Sequence, residues 1–122
     1  MSLQLVVAGS VALPFEDGSP SAPVALTATM TFTGRADFVR AYAGAVTNDP
    51  VDLGTLASPG AKGVLVKVQS GSCTVAFQST SGQAWPLAVG GYFLWLNPSA
   101  AFPTSAFITT TGPASVVFIA LG

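Results

Sequence analysis

The chain has no histidine, so the commonest general base of enzyme chemistry is missing. Charge of either sign is almost as scarce. Lys and Arg number 4 and Asp and Glu number 5, together 7% of 122 residues, against roughly 25% in an ordinary soluble domain. The charged residues are Glu16, Asp17, Arg35, Asp37, Arg40, Asp49, Asp52, Lys62 and Lys67; after Lys67 only Cys73 and Tyr92 carry an ionisable side chain. Four scattered cations and a net charge of −1 argue against nucleic acid, which needs clustered Lys and Arg along its phosphates. The same shortage argues against an anionic membrane surface. A single cysteine, Cys73, excludes an intrachain disulfide and a cysteine-based metal cluster. Within "SCTVAF" it reads as a small buried hydrophobe. Long apolar runs are lacking too. The stretch from Ala84 to Leu96 is interrupted by Pro86 and Gly90-Gly91 and falls short of the roughly 20 apolar residues of a spanning helix. "MSLQLVVAGSVALPF" has the apolar middle of a signal peptide without its basic start, and is read as part of the domain.

Catalytic and metal motifs are equally thin. G-x-S-x-G is absent, and no activating base stands beside the many Ser and Thr residues. Asn48, Asp49 and Asp52 suggest a calcium corner, but calcium wants six to eight oxygens and a longer acidic loop. A capped turn around Pro50 explains them better, and Glu16-Asp17-Gly18 reads as a turn tip. Arg35, Asp37 and Arg40 are spaced to pair along one strand, where surface pairs contribute little. These absences predict a protein that is not an enzyme, with no catalytic residues, no metal and no cofactor.

What is present is β-structure. Half the residues are hydrophobic. In "VALTATMTF" (24–32) one parity is apolar and the other is threonine, the mark of a half-buried strand. "GVLVKVQ" (63–69) sends Val64, Val66 and Val68 inward and Leu65, Lys67 and Gln69 outward. Ser70-Gly71 then reads as a two-residue turn into "SCTVAFQS", which predicts a hairpin. Short apolar runs follow between Gly/Pro turn signals: "AWPLAV", "YFLWLN", "SAFITT" and "SVVFIAL". "RADFVRAYAGAV" (35–46) fits a strand better than a short helix. "TNDPVDLG", "ASPGAKG" and "EDGSPSAP" read as polar loops. The pattern predicts an all-β chain: one antiparallel β-sandwich domain over residues 1–122, jelly-roll-like.

"GGYFLWLNP" (90–98) departs from alternation: Tyr92 to Leu96 are five large apolar side chains in a row. As a strand it places Tyr92, Leu94 and Leu96 on one face, Phe93 and Trp95 on the other. Phe93 and Trp95 are assigned to the core. Tyr92, Leu94 and Leu96 are assigned to a neighbouring subunit or another layer, with outward-pointing Leu65 joining them at the subunit interface; the opposite assignment of the two faces is the alternative. A chain with few charges and near-zero net charge also lacks the repulsion that keeps small domains apart. A homo-oligomer is expected, with a trimer favoured. Trp85, Tyr92 and Trp95 also suit stacking against sugars, but their neighbours Pro86, Leu87, Phe93 and Leu94 lack directed polar groups.

From residue 51 the chain reads "VDLGTLASPGAKGVLVKVQSGSCTVAF", then "WPLAVGGYFLWLNP", then "ITTTGPASVVFIALG". This order resembles small virion proteins of tailed bacteriophages, in which an "LG…SPG" turn precedes a strand, a "G-S-x-T-V" hairpin follows, then a "PL…GG-x-F" strand and a closing strand. The resemblance is a cadence of strands and turns, with no chemical motif to carry over. It implies a structural subunit on a jelly-roll-like or related sandwich. The expected role is a capsid decoration (cement) protein, binding itself and the major capsid or other virion proteins. It would be located in the virion after assembly in the bacterial host cytoplasm. A tail or head–tail component is the alternative, and a lectin-like carbohydrate-binding module is a second.

Overall fold

The computed structural model of the chain describes residues 3–8, 10–12, 18, 24–25, 28–58, 60–81, 83–97 and 102–122. Its core is a sandwich of two four-stranded antiparallel sheets. The strands are β5 (Arg35–Tyr42), β6 (Val46–Val51), β7 (Gly63–Ser70), β8 (Ser72–Phe77), β9 (Ala84–Ala88), β10 (Tyr92–Leu96), β11 (Ala106–Thr110) and β12 (Ala114–Leu121). One sheet has the order β10-β7-β12-β5 and the other β6-β11-β8-β9. Among the eight, only β8 and β9 are sequential neighbours in one sheet; every other link crosses between sheets. This is the jelly-roll arrangement. Before it come β1 (Leu3–Val7), paired with β4 (Ala28–Phe32), and β2 (Ser10–Val11), paired with β3 (Val24–Ala25).

The inner faces follow from period two. Val64, Val66 and Val68 of β7 are buried, as are Val116, Phe118 and Ala120 of β12. Opposite them lie Cys73 and Val75 of β8 and Ile108 of β11 in the same cluster. Register builds the rows: Phe38, Phe118, Val66 and Phe93 lie side by side across the first sheet. Phe38 stacks on Phe118 with centroids 5.4 Å apart. Each such side chain taken fully out of water stabilises the fold by roughly 1.5–3 kcal/mol.

Several expectations are corrected. The hairpin through Ser70-Gly71 does not form: β7 pairs with β10 and β12, and β8 with β11 and β9. Gly71, at φ 71°, carries the chain from one sheet to the other. A Cβ there would sit 2.2 Å from the Pro113 carbonyl oxygen, so the bend needs glycine. Alternation of Val64–Val68 and Cys73–Val75 suits facing strands as well as paired ones, which is why local pattern misassigned the partner.

"TNDPVDLG" is not all loop, because Val46–Val51 forms β6. β6 is an edge strand, where proline is tolerated, and Asn48 at φ 51° sits at the register shift opposite Thr109. Asn48 N–H donates to the Thr109 hydroxyl at 2.9 Å. The expected strand 24–32 is described as two pieces, β3 and β4. Met30 and Phe32 are buried while Thr29 and Thr31 are exposed, as the alternation predicts. Leu26 and Thr27, and nearly all of "EDGSPSAP", lie outside the described residues. Residues 35–42 are a strand. Arg35 pairs with Asp37 at 3.0 Å, but Arg40 faces the other way and pairs with Asp49.

Candidate assembly surface

The outer face of the β10-β7-β12-β5 sheet is apolar over most of its width. Register places Val39, Val117, Lys67 and Tyr92 in one row across the four strands. The next row is Asp37, Ile119, Leu65 and Leu94, and the next Arg35, Leu121, Gly63 and Leu96. The sequence-predicted residues Tyr92, Leu94, Leu96 and Leu65 therefore share one face. Phe93 and Trp95 turn the other way and pack against the main core.

This face is half covered. Met30 and Phe32 of β4 form a second buried cluster with Leu121, and Leu5, Leu96 and Ile119 pack against it. Leu5 and Val7 of β1 close a wholly apolar cleft of about 200 Å³ over Leu65, Leu94 and Leu96. Further along the face the cover stops. Tyr92 is 64% exposed, Leu94 43% and Val39 62%. The outer face of the other sheet differs: Thr109, Thr74 and Pro86 lie in one row across β11, β8 and β9.

Where β9 lies near β10, the space between the sheets is filled by rings. Phe93 lies 5.2 Å from Phe77 and 5.7 Å from Trp85, centroid to centroid, and Trp95 meets Phe102 edge-on at 5.7 Å. A cleft of about 300 Å³ opens here, lined by these rings with Val64, Gln83 and Pro103. Trp85 and Phe102 remain 44% and 41% exposed. Of Trp85, Tyr92 and Trp95, weighed from the sequence for stacking on sugars, the fold keeps Trp85 and Trp95 on this one cleft and places Tyr92 on the opposite face of its strand. Phe77, Phe93 and Phe102 come from two strands and a loop, so no local spacing marks them as one ring cluster.

At the far side, where β5 meets β6, the closure is polar. Asp49 accepts from Arg40 Nη1 and, at 2.8 Å, from the Tyr42 hydroxyl. The Arg40 guanidinium lies 4.7 Å above the Phe38 ring. The Tyr42 hydrogen bond, with Arg40 beside it, holds the Asp49 carboxyl below its ordinary range. Burial, helped by Asp49, pushes the Tyr42 phenol up to about 12. The phenol therefore keeps its proton at neutral pH and acts as a fixed donor. Asp52 accepts from the Gly54 N–H at 2.8 Å, capping its own loop. Among the described residues no three His, Cys, Asp or Glu side chains gather as metal ligands. Cys73 is buried, and desolvation raises its thiol pKa.

Comparison with known protein families and with curated protein sequences returned no match.

Proposed function

We propose that this chain is a structural subunit of a bacteriophage virion, a capsid decoration protein that self-associates and binds the shell. The observation that carries the reading is the outer face of the β10-β7-β12-β5 sheet, where Tyr92, Leu94 and Val39 stay exposed beside Leu65, Val117 and Ile119. A monomeric sandwich exposes polar side chains on such a face; an apolar one is what a subunit interface needs. The jelly roll is used by viral shell proteins, and the strand-and-turn cadence from residue 51 resembles small phage virion proteins. Neither names the function alone, since one fold hosts many.

The test has two arms. The purified chain at micromolar concentration is sized by light scattering, then mixed with phage shells stripped of accessory proteins and sedimented. An oligomer that co-sediments supports the reading. A stable monomer that stays in the supernatant overturns it. Leu94→Asp should leave circular dichroism unchanged and abolish association, because it buries an unpaired charge in the contact.

A second reading rests on the exposed rings of Trp85 and Phe102 beside Gln83: a lectin-like site between β9 and β10. Gln83 Nε2 already donates to the Ala84 carbonyl at 3.1 Å, which leaves that cleft short of directed polar groups. Binding to a glycan array, lost in Trp85→Ala, would favour it over assembly.

A further inference from the structure

The sandwich has four edge strands, and three carry devices that discourage pairing with another chain. β6 has Pro50 and the irregular register at Asn48, and β9 has Pro86. β5 carries Arg35, Asp37 and Arg40. Proline, register irregularity and charge are the usual protections of an exposed edge. β10 has none of them: Tyr92–Leu96 is YFLWL, and it pairs only with β7 among the described residues.

The backbone of β10 is set for a partner. At either end of its ladder with β7, Val68 N–H donates to the Gly91 carbonyl and Asn97 N–H to the Lys62 carbonyl. Antiparallel bonding alternates along a strand. Residues 91, 93, 95 and 97 therefore turn their N–H and C=O groups toward β7. Tyr92, Leu94 and Leu96 turn theirs away, and these three donors and three acceptors meet no second strand among the described residues.

Resting on the assembly reading above, we infer that β10 pairs antiparallel with β10 of a second copy about a two-fold axis at Leu94, joining the two sheets into one of eight strands. The register is self-complementary. Leu94 faces Leu94, Tyr92 faces Leu96 of the second copy, and Phe93 faces its Trp95. Every free-edge donor of each copy then meets an acceptor of the other. No charge opposes a like charge within the paired segment, because β10 has none; Lys67 lies one strand inward beside Tyr92 and Lys62 beside Asn97. The outer faces of both copies fall on the same side, so the exposed patch becomes continuous across the axis. A two-fold contact makes dimers, or larger assemblies built from dimers, in place of a closed trimer.

The decisive variant is Leu94→Cys in a Cys73→Ala background, with Leu65→Cys as its comparison. Directly opposed residues of a hydrogen-bonded antiparallel pair have Cα atoms about 5.5 Å apart, within the roughly 4.4–6.8 Å range of disulfides. Mild oxidation should convert the Leu94→Cys protein to a covalent dimer and leave the Leu65→Cys protein unlinked. Hydrogen exchange on the native chain should show the Tyr92, Leu94 and Leu96 amides slowed by about tenfold or more on going from dilute to micromolar protein. An oligomer whose Leu94→Cys form does not cross-link, and whose edge amides exchange fast, overturns the strand pairing and leaves the assembly reading standing. Cross-linking of Leu65→Cys at least as readily as Leu94→Cys points to stacked outer faces and also overturns it. A monomer at all concentrations removes both.

Discussion

Where β5 meets β6, the sandwich is closed by Arg40, Tyr42 and Asp49; where β9 lies near β10, it is closed by Phe77, Trp85, Phe93 and Trp95. The first closure is complete within one chain. The Asp49 carboxylate receives both of its strong donors, and the charged groups stay about one-third exposed, at 33% and 31%. Water can finish what the protein leaves undone. The second closure is made of rings with no ionisable group among them, and it leaves Trp85 and Phe102 partly in water beside a strand edge that pairs on one side only among the described residues. One side of the molecule is a finished surface. The other is where the proposed pairing would seat a second copy.

Substitutions on each side should separate these roles. The largest effect belongs to the aromatic side. Trp95→Ala removes a ring packed against the core and should cost about 3 kcal/mol, the low end for buried aromatics because Trp95 is only partly buried. Denaturant unfolding at a concentration where the chain is monomeric measures it. A cost below 1 kcal/mol would mean that the rings matter only in the assembled state.

Next comes the polar side. Asp49→Ala leaves the Tyr42 hydroxyl without its acceptor and Arg40 with the longer bond to the Pro50 carbonyl, and should cost about 1–3 kcal/mol. The clamp also sets the pH dependence. Asp49 has a lowered folded pKa, so its contribution is present above the ordinary carboxylate value and is lost as pH falls through the folded one. Tyr42 is raised from 10.0 to about 12, so its contribution is full below pH 10 and is lost as pH climbs toward 12. Thermal midpoints should therefore fall at both extremes. Asp49→Asn should flatten the acid limb and Tyr42→Phe the alkaline one. Unchanged limbs in both variants would show that the clamp does not form in solution.

A smaller effect is expected for the exposed Arg35–Asp37 pair, with side chains 51% and 49% exposed. Asp37→Asn should change stability by less than about 1 kcal/mol. The smallest is none at all. Chelator should leave the unfolding midpoint unchanged, because Asp49 is held by Tyr42 and Arg40 while Asp52 caps Gly54. A shift of several degrees would place an ion in the 48–52 segment.

Much of this molecule is legible along the chain. Alternation in 63–69 separates buried Val64, Val66 and Val68 from outward Leu65, Lys67 and Gln69, because a strand with one face in the core must repeat every second residue. The same parity divides Phe93 and Trp95 from Tyr92, Leu94 and Leu96. Turn residues and short runs are enough for an all-β sandwich. What the chain does not carry is pairing. Val64–Val68 and Cys73–Val75 read alike whether they lie side by side or face to face. Only the bend at Gly71, wedged against Pro113, decides that they face across the core. The Arg40–Asp49 contact joins strands whose local spacing pointed to Arg35 and Asp37 instead. The ring cluster between β9 and β10 collects residues from 77 to 102, and no periodicity links them. Sequence determined which residues of a recognised strand share a face, since that depends on neighbours two residues away; tertiary structure decided which strands meet, since that depends on where the chain crosses from one sheet to the other.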